Sequence, residues 1–284
     1  MTSQDFRDTK VKIVNGFKGA IMIIEQIWVG NALRNFNYLV ACGETGEALV
    51  IDPLDHKQCL QIASDRGWTI THILNTHEHH DHIAGNSKIT EATGAKILAH
   101  ANAFHSIPNI DRGLKANDEI VIGRSVRLQC LDTPGHTMSH ICAFADGPNP
   151  ALFSGDTLFN AGAGNCHNGG YPEALYTTFR DQLAKLPTET KIYPGHDYLA
   201  NNLEFTLNRE PSNQEAKKLL KQVREHSPHA KVTTDLAMEK KINTFFRLRQ
   251  KGVIQELQKS FPELPKNPDE KTVFLKLRQL RNRW

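Results

Sequence analysis

The sequence predicts an α/β body of about 200 residues followed by a helical C-terminal region. Three observations carry this. From about residue 20 to 200, short runs rich in Ile, Val and Leu alternate with Gly, Pro, Asn and Asp and with occasional helical patterns. After His196 the apolar residues fall at helical spacing, interrupted at prolines. Several of the β-like runs end in a histidine or aspartate of metal-ligand type.

The strands expected in order are Ile21–Val29, Phe36–Cys42, Ala48–Ile51, Thr71–Asn75, Lys96–Ala99, Glu119–Ile122, Val126–Leu131, His140–Ala145, Ala151–Ser154 and Lys191–Tyr193. Between them His56–Arg66, Ile83–Thr93 and Pro172–Lys185 read as helices. Pro172 falls in a first turn, where its missing N–H does no harm. Beyond residue 199, Asn213–Glu225 and Glu270–Arg281 have helical spacing, with breaks at Pro211, Pro228 and the Pro262–Pro268 loop. The expected division is 1–198 for the α/β body and 199–284 for a helical cap.

Composition narrows the function. Of 284 residues, 39% are hydrophobic and 23% charged, proportions that sustain a core and argue against disorder. Apolar stretches such as Ile21–Ile24, which stops at Glu25, are too short to span a membrane. The first sixteen residues lack the apolar centre of a secretory signal, and the five cysteines are scattered without a C-x-x-C pair. A reducing, cytoplasmic location is expected, with no membrane partner. Charge is uneven: residues 201–284 hold 18 Lys+Arg against 10 Asp+Glu, and residues 1–200 hold 16 against 21. Such a basic third can face an anionic small molecule or nucleic acid, but a solvated helix surface is the simpler reading.

Thr76-His-Glu-His-His-Asp-His82 is the most informative stretch. His77 and His79 share a register and can point the same way, while Asp81 and His82 follow where the chain turns into a helix. His80 falls in the opposite register. Thr133-Pro-Gly-His136, Phe153-Ser-Gly-Asp156 and Tyr193-Pro-Gly-His196 share one form, a β-like run, a glycine and a ligand-type residue. Glycine permits the sharp turn that lifts the next side chain off the strand end. Five histidines and two aspartates converging on one sheet edge suit two divalent ions, and zinc, iron or manganese accept these donors. His72, His100 and His140 read as ordinary core or surface histidines rather than as partners of the ligands.

These motifs, with the AGAG run after FSGDTLF and the YPGHDY segment, resemble the metallo-β-lactamase superfamily and, within it, the glyoxalase II (hydroxyacylglutathione hydrolase) family. The resemblance implies an αββα sandwich with two metal ions, zinc foremost. His77, His79 and His136 would hold the first, Asp81, His82 and His196 the second, and Asp156 would bridge them. A carboxylate has two oxygens to share between cations, whereas an imidazole offers one lone pair. Divalent ions bring the pKa of water toward neutrality, a route to a hydroxide nucleophile that Asp81 can orient. The implied activity is hydrolysis of a glutathione thioester such as S-D-lactoylglutathione, with Asp81 and Asp156 catalytic.

Related activities fit less well. A β-lactamase of the commonest type has Cys where Asp156 stands. A ribonuclease of this superfamily adds a long RNA-gripping arm that is not seen here, so no nucleic-acid partner is expected. A mono-iron persulfide dioxygenase is the alternative with a similar YPGHDY segment, but it lacks the 201–284 extension. In the hydrolase family that extension supplies an Arg and a Lys for the glutathione glycine carboxylate; here Arg278 and Arg281 occupy the corresponding stretch, and Tyr198 matches the family's tyrosine. One departure is clear. The family's G-x-G-Lys-Phe-Tyr is Gly162-Ala-Gly-Asn165-Cys-His167 here, so Asn165 replaces a lysine and His167 a tyrosine. A thioester of another thiol carrier is therefore a further alternative.

Overall fold

The structure is a computed structural model and describes residues 21–225 and 232–284. The N-terminal stretch inspected for a signal and the break expected at Pro228 lie outside the described residues.

Strands β1 (Met22–Trp28), β2 (Phe36–Cys42) and β3 (Glu47–Ile51) form an antiparallel meander. Helix α1 (His56–Asp65) then carries the chain to β4 (Thr69–Leu74), parallel to β3. Two short helices, α2 (His80–Ile83) and α3 (Asn86–Thr93), lead to β5 (Lys96–His100), and β6 (Arg112–Leu114) closes this six-stranded sheet. A second sheet has the order β13-β10-β9-β8-β7, built from β7 (Glu119–Ile122), β8 (Val126–Asp132), β9 (Ile141–Ala145), β10 (Ala151–Gly155) and β13 (Lys191–Pro194). β10 and β13 run parallel, joined through a two-stranded ribbon of β11 (Leu158–Phe159) and β12 (Gly162–Ala163) and through α4 (Pro172–Asp181).

The two sheets face each other, and the largest core lies between them. Alternation along the strands sets this up. In β2, Phe36, Tyr38, Val40 and Cys42 enter the inter-sheet core, while Leu39 faces the opposite way, toward Cys59 and Ala63 of α1 and Ile89 of α3. Covered on both faces, β2 reads as a nearly unbroken apolar run. β8 is covered on one face, so Val126, Leu128 and Cys130 are buried and Arg127 and Gln129 are exposed. Helices on the outer faces of both sheets complete the αββα sandwich.

A distinct helical region follows: α5 (Leu199–Arg209), α6 (Gln214–Glu225), α7 (Leu236–Ile242), α8 (Lys251–Ser260) and α9 (Glu270–Arg281). α5 to α7 share a small core of their own. α8 and α9 instead join the cluster on the outer face of the second sheet, where Val273, Phe274 and Leu277 meet Leu175, Tyr176 and Phe179 of α4. Full burial of one such side chain stabilises by about 1.5–3 kcal/mol, so this shared cluster anchors the helical region firmly to the sandwich.

Two differences from the sequence reading have local causes. The single helix expected over 83–93 is broken at Ala84-Gly85, because the Gly85 backbone lies against Pro53 and a Cβ there would overlap the Pro53 carbonyl oxygen. β6, β11 and β12 are two or three residues long and leave no periodicity to read.

Candidate dimetal site

All seven expected ligands emerge from strand ends at one edge of the sandwich. β4 runs into His77 and His79, and α2 begins at once, placing Asp81 and His82 one turn on. β8 leads to His136, β10 to Asp156 and β13 to His196. Gly155 has φ of +46°, and a Cβ there would lie 2.5 Å from Thr76 Oγ1. A Cβ on Gly195 would run into Asp156 Oδ1. The glycines before Asp156 and His196 thus allow two strand ends to approach where a side chain would block them.

The ligand atoms converge in overlapping groups: His77, His79 and His136; His77, His82 and Asp156; Asp81, His82 and His196, each group within 4.8 Å. His77 Nε2 and His136 Nε2 each lie 3.0 Å from His79 Nδ1. Across the site His82 Nε2 and His196 Nε2 are 3.2 Å apart, and Asp81 Oδ2 is 3.5 Å and 3.4 Å from them. Asp156 lies between the two sets. Its Oδ2 is 3.2 Å from His196 Nε2 and 3.6 Å from His136 Nε2, and its Oδ1 is 3.5 Å from His82 Nε2. His80 is exposed.

The outer ring nitrogens fix which lone pairs face inward. His136 Nδ1 donates to Asn165 O at 2.6 Å, His196 Nδ1 to Leu33 O at 2.7 Å, and His79 Nε2 to Asn168 O at 3.1 Å. His82 Nδ1 meets Asp52 Oδ2 at 2.9 Å, and Thr76 Oγ1 lies 3.0 Å from His77 Nδ1. A carbonyl can only accept, so each imidazole it holds must keep its proton outward and its lone pair toward the site.

Electrostatics favour positive charge at the same place. Burial pushes the Asp156 carboxyl up, but His196 and His82 overcome this and hold it far below the usual carboxylate range. Burial also opposes charge on His82, yet Asp156, Asp52 and Asp81 raise it to about 9. His77 is driven well below an ordinary histidine by burial and by the neighbouring His82 and His136. Asp156 Oδ1 is buried with no hydrogen-bond partner. An orphaned carboxylate oxygen among inward lone pairs is costly unless cations fill the space. The residues fit a pair of divalent metal ions, and the donor set of imidazole and carboxylate suits zinc.

Sequence reasoning missed several partners. Asp52, at the end of β3 with φ of +49°, accepts from Thr76 N at 2.8 Å and Thr76 Oγ1 at 2.7 Å as well as facing His82. Asn35 Nδ2 donates to Asp81 Oδ2 at 3.0 Å. Contrary to the ordinary-core expectation, His140 is wholly buried behind the ligands: its Nε2 accepts from Asp156 N at 3.1 Å, and its ring stacks on His77 with centroids 5.2 Å apart. Asp52 was detectable as a fourth strand-end residue of ligand type, although no glycine precedes it. His72 and His100 stay outside the site; His100 Nδ1 accepts from Asn102 N.

The residues expected to touch substrate are less uniform. Tyr198 caps α5, its ring stacked on His196 at 5.0 Å with its hydroxyl 3.3 Å from His196 Nδ1. Burial and the carboxylates of Asp156 and Asp81 push its phenol up to about 12, so it stays protonated. Asn165 and His167 are exposed on the loop after β12. Arg281 is half-buried and donates to Asn202 Oδ1 at 3.0 Å. Arg278 is 3% exposed and spends its donors inside the protein, on Ala163 O, Gly164 O and Asn282 Oδ1.

This fold and ligand set define a dimetal hydrolase of the metallo-β-lactamase superfamily, whose family model matches residues 31–196. Residues 197–284 match the model described as hydroxyacylglutathione hydrolase C-terminus. The chain belongs to the hydroxyacylglutathione hydrolase family. It is 60% identical over 263 residues to the hydroxyacylglutathione hydrolase of Polaromonas sp. (strain JS666), covering 93% of this chain and all of that protein. Against the enzyme of the same name from Methylobacillus flagellatus it is 35% identical over 255 residues, 87% of this chain and 95% of that one. Among solved structures it resembles ETHE1 from Myxococcus xanthus, with a TM-score of 0.63 and 25% identity, over 91% of this chain and 99% of that one. No helix among the described residues is long and apolar enough to cross a membrane.

Proposed function

We propose that the protein hydrolyses a glutathione thioester of the S-D-lactoylglutathione type to the free acid and thiol, acting on this small molecule in the cytoplasm. The observation that carries the proposal is the union, in one chain, of the seven-ligand site with the helical region whose α9 holds the 163–164 backbone beside it. His77, His79 and His136 form one ligand set, Asp81, His82 and His196 the other, and Asp156 serves both. Zinc is the first choice, and iron or manganese suit the same donors. When bound, the two ions polarise the thioester carbonyl and bring the pKa of water near neutrality.

The chain's own residues do the rest. Asp81 is held through Oδ2 by Asn35 and keeps its other oxygen to orient an attacking water. Tyr198, protonated and packed on His196, can donate to the substrate at the mouth of the site. Arg281, on the last turns of α9, offers a cation for the glycine carboxylate of glutathione, and Asn165 and His167 line the approach.

Turnover of S-D-lactoylglutathione with parallel elemental analysis tests this reading. Hydrolysis together with close to two transition-metal ions per chain is expected. Oxygen uptake with glutathione persulfide by a protein holding one iron would replace it with the dioxygenase reading. Faster hydrolysis of another carrier's thioesters would transfer the reaction to that carrier.

A further inference from the structure

The segment from Asn160 to Asn165 joins the β11–β12 ribbon to the substrate loop. β12 pairs with β11 along one edge only. Unpaired buried backbone groups must find partners elsewhere, and here side chains of the helical region supply them. Asn202 Nδ2 of α5 donates to Asn160 O at 3.0 Å. Both carboxylate oxygens of Glu239 in α7 accept from Ala161 N, at 3.0 Å and 2.9 Å. Asn243, which caps α7, donates to Gly162 O at 3.0 Å. Arg278 Nη1 of α9 donates to Ala163 O at 2.7 Å and to Gly164 O at 2.9 Å.

Five consecutive residues are thus gripped by four side chains, each 3% exposed or less. Ala161 has φ of +59°, a conformation that a residue with a Cβ keeps only under outside constraint. The very next carbonyl, Asn165 O, receives the Nδ1 proton of His136 at 2.6 Å. An Arg278 devoted to a substrate carboxylate would be expected to present its donors to the cleft. Here its Nε and Nη1 are already taken by Asn282 Oδ1 and the two carbonyls.

We infer that Asn202, Glu239, Asn243 and Arg278 are positioning residues that set the His136 imidazole through the 160–165 segment, so that the helical region governs metal occupancy of the His77, His79 and His136 set. The inference rests on the dimetal centre and not on the identity of the thioester.

Chelator titration of the zinc-loaded full-length protein tests it, using Arg278→Met, Asn243→Ala and, as a control on the exposed side of α9, Gln279→Ala. Loss of an outer partner of a metal-bound histidine typically weakens metal binding roughly tenfold to a hundredfold. Arg278→Met is expected to release one of its two ions at correspondingly lower chelator concentration, with kcat restored by added zinc and KM little changed. Asn243→Ala should move the same way by less, and it decides the matter if Arg278→Met does not fold. Gln279→Ala should titrate like the wild type. Wild-type retention of both ions in the folded variants would overturn the inference. So would a rise in KM that zinc does not correct, which would make Arg278 a substrate contact.

Discussion

The two proposed ligand sets sit a few ångströms apart but are supported differently. The outer nitrogens of His77, His79 and His136 meet neutral oxygens: a threonine hydroxyl and the carbonyls of Asn168 and Asn165. The other set leans on charge and on the turn between β1 and β2. His82 faces the buried carboxylate of Asp52, Asp81 is itself anionic, and His196 is held by Leu33 O where a bridge joins Asn35 to His196. A carboxylate behind a histidine makes it a more basic ligand and fixes its tautomer. The first set therefore depends on where two loops lie, and the second on one buried carboxylate together with the turn that carries Leu33. Disturbing loops should loosen the first; changing one charge should loosen the second.

The largest expected effect removes what the sets share. Asp156→Ala should abolish hydrolysis by several orders of magnitude and reduce bound metal at both sets, whereas His80→Ala, altering an exposed neighbour, should leave kcat close to wild type. Comparable losses in the two, measured side by side in one assay, would mean that the bridging role is misassigned.

Next in size is Asp52→Asn. The amide would present an N–H to His82 Nδ1, favouring the tautomer whose proton points into the site and whose lone pair points out. The fold should survive, since asparagine tolerates the positive φ at this position. Metal affinity at the Asp81, His82 and His196 set should fall roughly tenfold to a hundredfold, as read by elemental analysis after dialysis against chelator. Unchanged stoichiometry would put the two sets on an equal footing.

A smaller effect is expected at the mouth. A hydrogen bond to a charged group is worth about 1.5–3 kcal/mol, or roughly ten- to a hundredfold in binding. Asn165→Lys should lower KM for S-D-lactoylglutathione, and Arg281→Ala should raise it, both with kcat nearly constant. Opposite movements of KM would place the thiol carrier elsewhere.

The smallest concerns Glu239, which sits in the helical support of the first set. Burial lifts its carboxyl from 4.5 to about 7, against hydrogen bonds from Thr234, Ala161 and Asn243. Between those values the folded protein holds a proton that the unfolded chain has released, so stability falls as pH rises through that window and stays lowered above it. Glu239→Gln should remove this contribution, on the order of 1 kcal/mol between about pH 6 and pH 8, flattening the pH dependence of the thermal midpoint. An unaltered slope would show that Glu239 stays ionised throughout.

Most of the ligand set was legible before the fold because three ligands follow a β-like run and a glycine, and the other four crowd into one stretch after another such run. His136, Asp156 and His196 are marked in this way, and His77 to His82 by density alone. Asp52 lacked the preceding glycine and carries its positive φ itself. His140 was read as ordinary because one residue and no spacing rule distinguishes a core histidine from one that accepts the Asp156 amide. The carbonyls of Leu33, Asn165 and Asn168 could not be read at all, since a backbone oxygen has no side-chain signature.

What the sequence determined by itself is local chemistry: apolar alternation that makes two faces of a strand, glycines that allow a turn, and donors of the right kind at strand ends. Those properties depend on neighbours a few residues away. Only the tertiary structure decided which carboxylate backs which histidine, and whether Arg278 faces the cleft or the 163–164 carbonyls. His82 and Asp52 lie 30 residues apart, and Arg278 and Gly164 lie 114 apart. Such pairings are set by how two sheets and a helical region pack, because burial forces each polar group to take whichever partner the packing brings within reach.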